Sequence, residues 1–386
     1  MSQKLSDLPV GSLVKDAGSL FLNKPIIWKI ADKNHTGYPT GAITLITERC
    51  IAMRCFDAKE SSNSTSDRQS YGNGRYAVSN IRQWLNSDAE AGKWYSAQHS
   101  ADAAPNSSNV WQSSNVAINP YDTNAGFLNG FSQEFKDSLM ETNLVVAKHS
   151  VDGSGSETVT DKMFLASNTE VGLANENSIA EGALLPIFSD DASRIAYVTA
   201  EGIEDSNYAS DPANDTTAWY WWLRTPYMDN SGRARGVNSS GALLSSYAYY
   251  GYRGVRPLCN LPSYILVSDT TDSDGCYVIE SFDKIRKINF DLSTPIEAET
   301  MPERISVEVG SKIPLGASYA VWVCNNANDE NPTWEDCTNE VKSNLAHVFE
   351  NKTKTAENWA INIKVEIDAS DFDDECYISG IGGNWE

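Results

Sequence analysis

The chain has 386 residues, 41% of them hydrophobic and 21% charged, with a formal charge of −22. That length allows two or three domains with ample buried core, and the charge disfavours nucleic acid and anionic membrane surfaces, since phosphates are bound through Lys and Arg. No run of about 18 apolar residues is present to insert into a membrane, and Met1-Ser2-Gln3-Lys4-Leu5-Ser6-Asp7 lacks the apolar core of a Sec-type signal.

In chain order, residues 26–30 and 42–53 read as short strands. Ser79-Asn80-Ile81-Arg82-Gln83-Trp84-Leu85-Asn86 reads as a helix, with Ser79 or Asn80 as N-cap and Ile81, Trp84 and Leu85 on one face. Residues 131–140 are a second amphipathic helix candidate, capped by Ser132, and 161–166 resembles a strand. The segments between are long and rich in Ser, Asn, Asp and Gly. Loops of this length inside a compact domain are usually functional or fold-defining. The pattern is that of an α+β domain with little helix.

The next segment is the most informative. Trp219-Tyr220-Trp221-Trp222-Leu223-Arg224-Thr225-Pro226 and Gly254-Val255-Arg256-Pro257-Leu258-Cys259-Asn260-Leu261 frame 27 residues, 227–253. Sixteen of those are Tyr, Ser, Gly or Asn, and the window has no Lys, Glu, His or Cys. Tyr offers contact area at low entropic cost, while Ser and Asn adapt their hydrogen bonds, which is the chemistry of antibody loops. The candidate ligand-binding residues are Tyr227, Asp229, Asn230, Ser231, Arg233, Arg235, Asn238, Ser239, Ser245, Ser246, Tyr247, Tyr249, Tyr250, Tyr252 and Arg253. Three Arg against one Asp make the window locally basic in an acidic chain. Arg and Tyr are residue types enriched at binding hot spots. The flanking Trp219, Trp221, Trp222, Arg224, Arg256 and Pro257 read instead as scaffold: aromatics for a core, and an Arg that ties down carbonyls or a carboxylate.

Beyond this point the charge shifts. Residues 269–386 hold 24 Asp/Glu against 9 Lys/Arg, a net of −15, whereas the first 268 residues carry a net of −7. The polar run Ser268-Asp269-Thr270-Thr271-Asp272-Ser273-Asp274-Gly275 coincides with the shift, which sets the expected domains at 1–268 and 269–386. Residues 304–309, 319–324 and 362–367 alternate apolar and polar in the β manner, and a small β-sandwich of about 110 residues follows.

Catalytic and metal motifs are sparse. Seven Cys at irregular spacings read as buried reduced thiols, and His35, His99, His149 and His347 form no ligand spacing. Asp272, Asp274 and Gly275 hint at a calcium loop, but Thr270 and Ser281 occupy its first and twelfth ligand positions. Asp371, Asp373, Asp374 and Glu375 read as a solvated turn. No catalytic residue, metal ligand or cofactor is expected.

The framing motifs, with the 79–86 segment and Phe164-Leu165-Ala166-Ser167, resemble a family of bacterial and phage domains with the C-type-lectin fold, relatives of the formylglycine-generating enzyme. The resemblance spans roughly 1–268. Some members are variable proteins of diversity-generating retroelements, in which the segment before the closing Gly-Val-Arg-Pro is rewritten at adenines. It would place that surface at 227–253, and residues 229–253 all belong to the set reachable by mutating the adenines of Asn codons, whereas Met228 does not. The paired copper cysteines of the enzyme relatives lie late in the domain, where this chain has only Cys259. Trp334-Glu335-Asp336-Cys337-Thr338, Lys354-Thr355-Ala356-Glu357-Asn358-Trp359 and the closing Cys376–Glu386 segment resemble an immunoglobulin-like module of phage structural proteins.

Together these imply a C-type-lectin-like fold followed by an all-β immunoglobulin-like sandwich. The implied role is a virion- or tail-associated adhesin without enzymatic activity, made without a signal and leaving with the particle. Its expected partners are a host-cell surface protein or glycan and other virion proteins, and by analogy it forms a homo-oligomer, a trimer. The alternatives are a purely structural decoration protein and a fold-related metal-dependent oxidase.

Overall fold

The computed structural model describes residues 2–386 except 114, 115, 118, 177, 208–211, 285, 371 and 373; Asp371 and Asp373 of the acidic turn thus lie outside the described residues. Strands dominate and the helices are few and short. The chain divides into two compact units, Met1–Phe282 and Asp283–Glu386.

In the first unit an eight-stranded sheet runs, in spatial order, Ser2–Lys4, Leu266–Ser268, Tyr277–Ser281, Leu13–Lys15, Trp28–Lys33, Ala42–Thr47, Leu258–Pro262 and Met163–Phe164. Ala42–Thr47 is buried along its whole length, Thr44 and Thr47 included, which explains why its apolar residues fall on both faces in place of alternation. A second, five-stranded sheet has the order Leu243–Tyr247, Arg233–Val237, Trp221–Pro226, Gly254–Val255, Ala52–Met53. The expected strand 42–53 is therefore two strands in two sheets. The closing motif joins the same two sheets, with Gly254–Val255 in one and Leu258–Pro262 in the other. At the crossing, Arg256 Nε donates to Thr47 O at 2.9 Å.

Both expected helices form where their caps place them. Ser79 and Ser132 accept from the backbone N–H groups of Arg82 and Phe135, starting helices Asn80–Leu85 and Gln133–Ser138. Ile81, Trp84, Leu85 and Phe135 are buried in a core shared with Trp28, Tyr121, Phe127, Trp221 and Trp222. The 161–166 segment is broken instead: Ser156–Asp161 pairs with Thr142–Ala147, and Met163–Phe164 joins the large sheet.

The expected boundary at 268–269 falls inside a hairpin. Leu266–Ser268 pairs with Tyr277–Ser281, and the polar run is the connecting turn, where Asp272 Oδ1 accepts from the backbone N–H groups of Asp274 and Cys276. Lys15 Nζ holds Asp272 and Asp274 at 2.6 and 2.5 Å. The first unit therefore runs through Phe282, because the last strand of its sheet lies beyond the charge shift.

The second unit packs two sheets over one apolar core. One sheet carries Lys287–Asp291, Trp359–Asp368, Ser318–Cys324 and Glu335–Asp336, with Ile296–Ala298 also on Trp359–Asp368; the other carries His347–Val348, Arg304–Lys312 and Tyr377–Trp385. Ile305 and Val307 from one sheet and Val321, Val323, Ile361, Ile363, Val365 and Ile367 from the other fill the space between.

Candidate functional site

The 227–253 window forms a hairpin and the loop that follows it. Strand Arg233–Val237 pairs antiparallel with Leu243–Tyr247, in the register Arg233↔Tyr247, Arg235↔Ser245, Val237↔Leu243. Period-two alternation puts Arg233, Arg235, Ser245 and Tyr247 on one face and Ala234, Gly236 and Ser246 on the other. The second face lies on the core. Ala234 is fully buried, and a Cβ at Gly236 would stand 2.6 Å from Trp221 O.

The outward face and its rim carry a cluster of rings. Tyr247 stacks on Tyr71 with centroids 4.0 Å apart, Tyr249 stacks on Tyr250 at 5.3 Å, and Tyr250 lies 5.0 Å from Tyr252. Trp111 meets Tyr250 and Tyr252 edge-on at 5.3 and 5.6 Å. The Arg233 guanidinium sits 4.0 Å over the Tyr247 ring, and that of Arg253 lies 4.3 Å from Tyr220 and 4.7 Å from Tyr252. Arg233 donates to Ser245 Oγ at 3.4 Å and forms no ion pair among the described residues. Burial and the neighbouring tyrosines push the Tyr249 hydroxyl up to about 12, so this ring remains a neutral hydrogen-bonding group at physiological pH.

The backbone beneath these side chains is held by residues outside the window. Ala248 O accepts from the N–H groups of Phe56 and Asp57 at 2.8 and 3.1 Å, Tyr249 O from Trp111 at 2.9 Å, and Arg253 O from Arg54 at 3.1 Å. Gly251 O accepts from the Asn119 side chain at 2.7 Å and Tyr252 O from the Trp219 indole at 2.7 Å. Five of the seven carbonyls of 247–253 are thereby captured, and Tyr249 N–H is taken by Tyr71 O. The ring-bearing side chains project from a main chain that is already tied down.

The frame is built on buried polar pairs. Arg224 and Glu170 form a bidentate pair at 2.6 and 2.7 Å, with side chains 1% and 0% exposed. Arg224 also donates to Leu165 O at 2.8 Å and to Glu181 O, while Tyr38 donates to Glu170 at 2.6 Å. Trp221 and Trp222 donate their indole N–H groups to Arg194 O and Arg54 O. Burial pushes the Glu181 carboxyl up to about 7, with Thr225 and the Ala147 N–H on its two oxygens.

The window residues expected to touch a ligand divide into four groups. Arg233, Ser245, Tyr247, Tyr249, Tyr250, Tyr252 and Arg253 share the face just described. Tyr227 and Arg235 continue it but are engaged: Arg235 lies 4.4 Å over the Tyr227 ring and pairs with Glu176 at 2.7 and 2.9 Å, and Tyr227 donates to the exposed Asp229. Asn230 and Asn238 hold turns, accepting from Gly232 N and from Ser240 N and Ala242 N, with Ser239 in the second turn. Ser231 and Ser246 point inward, 2% and 3% exposed, and are corrected from contact residues to core positions. Tyr71, Trp111, Tyr220 and Glu176 belong to the face and lie outside the window. Their signal was the long polar loops, which mark function without saying which residue reaches where.

Other chemistry is confined to the interior. All seven cysteines are buried and unpaired, and burial pushes the Cys50, Cys55 and Cys259 thiols up, which disfavours the reactive thiolate. Among the described residues no helix is long and apolar enough to cross a membrane.

Residues 41–263, from the central strand of the large sheet to the end of the closing motif, match the family model described as Domain of unknown function (DUF6273). The chain belongs to the DUF6273 family. No curated protein and no solved structure matches it. The DUF6273 region contains the two segments that supply strands to both sheets, the frame and the whole aromatic face.

Proposed function

We propose that this DUF6273 protein is a phage virion- or tail-associated adhesin. Its first unit, a C-type-lectin-like domain, presents the Tyr- and Arg-bearing face to a protein or glycan on the host cell. Its second unit is an immunoglobulin-like module serving attachment to the particle or further adhesion. The observation that carries this reading is the separation of roles within 247–253, where the frame captures the main chain and leaves Tyr247, Tyr249, Tyr250 and Tyr252 half-exposed. A loop ordered in advance does not pay its ordering cost on binding, and side chains can change without moving the backbone. That property suits a surface rewritten by a diversity-generating retroelement. Arg233 and Arg253 favour a ligand carrying negative charge. Several copies on one particle, a trimer by analogy, would convert modest site affinity into avidity.

The test is adsorption of the purified chain to susceptible bacterial cells, comparing wild type with a variant carrying Ser at positions 247, 249, 250 and 252. Loss of adsorption with an unchanged far-UV spectrum supports the proposal, and unchanged adsorption contradicts it.

A further inference from the structure

A second constellation lies in the first unit, between the segment that carries Tyr71 and the one that leads to Trp111. The candidate ligand atoms of Glu60, His99 and Asp102 all lie within 4.8 Å of one another. The Glu60 side chain is fully buried, and His99 Nε2 stands 2.9 Å from Glu60 Oε1. Asp57, also buried, completes the group.

Two carboxylates, Glu60 and Asp102, therefore face one imidazole, with Asp57 beside them. Among the described residues no Lys or Arg forms an ion pair with Asp57, Glu60 or Asp102. The neighbouring arginines are committed elsewhere: Arg54 to Asp205, Arg68 to Asp152, and Arg75 to Glu157. The groups that do reach the carboxylates are neutral amides. Asn63 and Asn73 donate to Glu60, the N–H groups of Asn73 and Asn80 to Asp57 at 2.9 Å each, and the Gln98 N–H and Asn80 side chain to Asp102 at 2.7 and 3.2 Å. Amides orient these oxygens as outer-shell groups orient metal ligands, but they do not neutralise them. Buried charge is ordinarily paired or bound to a metal. A second observation concerns the imidazole. His99 Nε2 is shielded from solvent and lies 2.9 Å from Glu60 Oε1 without the alignment of a hydrogen bond, so its close neighbour is itself a candidate ligand.

We propose that Glu60, His99 and Asp102 bind a divalent transition-metal cation, with Zn²⁺ as its representative. One imidazole nitrogen and two carboxylate oxygens are Zn²⁺ ligands, and imidazole favours such a metal over Ca²⁺ or Mg²⁺. His99 and Asp102 are half-buried, so a water from solvent would take the fourth position. The cation would clamp the 57–73 segment to the 98–111 segment. The proposal is independent of what binds the aromatic face.

The test uses the untagged full chain, stripped with chelator and titrated with ZnCl₂ by calorimetry, with metal content measured after dialysis. The expected result is one Zn²⁺ per chain and a Tm raised by several degrees at saturating metal. His99→Gln and Asp102→Asn should each weaken binding at least tenfold. His347→Gln, which alters the other histidine flanked by two carboxylates, Glu335 and Glu340, should leave binding unchanged. Far-UV spectra in chelator establish that the variants fold, and Asp102→Asn, at a half-exposed position, serves if His99→Gln does not. Absence of stoichiometric uptake, equal uptake by wild type and both cluster variants, or loss of uptake with His347→Gln would each overturn the proposal.

Discussion

Arg224→Met removes the buried cation of the frame while roughly preserving side-chain volume. In the wild type Arg224 binds both oxygens of Glu170 and donates to Leu165 O and Glu181 O. The variant leaves the Glu170 carboxyl nearly solvent-free and without its cation, with Tyr38 and the Ser167 N–H as its remaining partners among the described residues. Removing one member of such a pair costs about 3–5 kcal/mol, much of it the penalty on the abandoned charge. At roughly 2 °C per kcal/mol for a unit of this size, Tm should fall by about 6–10 °C. Changing Glu170 to Gln in the same background removes the orphaned carboxyl and should restore part of the loss, though Leu165 O loses its Arg224 donor and Glu181 O keeps the Ser167 hydroxyl. Thermal unfolding of the two single variants and the double variant, read as a double-mutant cycle, measures the coupling. A loss below about 1 kcal/mol for Arg224→Met, or additive single effects, would refute the assignment of Arg224 to the frame.

Other expectations follow from the same geometry. Glu181 titrates near 7 in the folded chain against its ordinary value of 4.5. A raised carboxyl favours folding below pH 4.5 and loses that contribution as pH rises through 7, so stability should drop by roughly 3 kcal/mol across this window; denaturant titrations at the two ends should show the drop in wild type and not in Glu181→Gln. At Gly74 a Cβ would stand 2.1 Å from Arg233 O and 3.2 Å from Ser231 O, both backbone atoms, so Gly74→Ala must displace the start of the hairpin, costing about 1–3 kcal/mol in unfolding experiments together with adsorption. Arg233→Gln should weaken adsorption, and flatten its salt dependence, with Tm changed by no more than about 2 °C. Arg235→Gln frees Glu176 and should cost about 1 kcal/mol by thermal unfolding, since the lost pair is part-exposed.

What could be read in advance was what local chemistry determines. Ser79 and Ser132 announced their helices because capping is settled within four residues. The Trp- and Arg-rich flanks could be recognised as frame because such side chains seldom combine except to fill a core and bind its carbonyls. The face was legible only in outline. Whether Ser246 points outward depends on the register of its hairpin, and a shift of one residue reverses every side chain. The partnership of Tyr71 with Tyr247, and of Trp111 with Tyr250, joins segments more than a hundred residues apart with no local trace. The same holds for the Glu60, His99 and Asp102 cluster, whose spacing matches no short ligand motif. The domain boundary was misplaced because charge changes inside a hairpin, before the sheet it belongs to is complete.

On the function proposed above, 219–226 and 254–261 are frame and the side chains on the 227–253 face are site. A substitution scan across 219–261, read in parallel for folded yield and for adsorption per folded molecule, separates the two. Substitutions at Trp221, Trp222, Arg224, Gly254 and Arg256 should lower folded yield and leave adsorption per folded molecule intact, whereas those at Arg233, Tyr247, Tyr249 and Tyr250 should do the reverse. Face substitutions that lower folded yield alone, or that leave adsorption untouched, would contradict it.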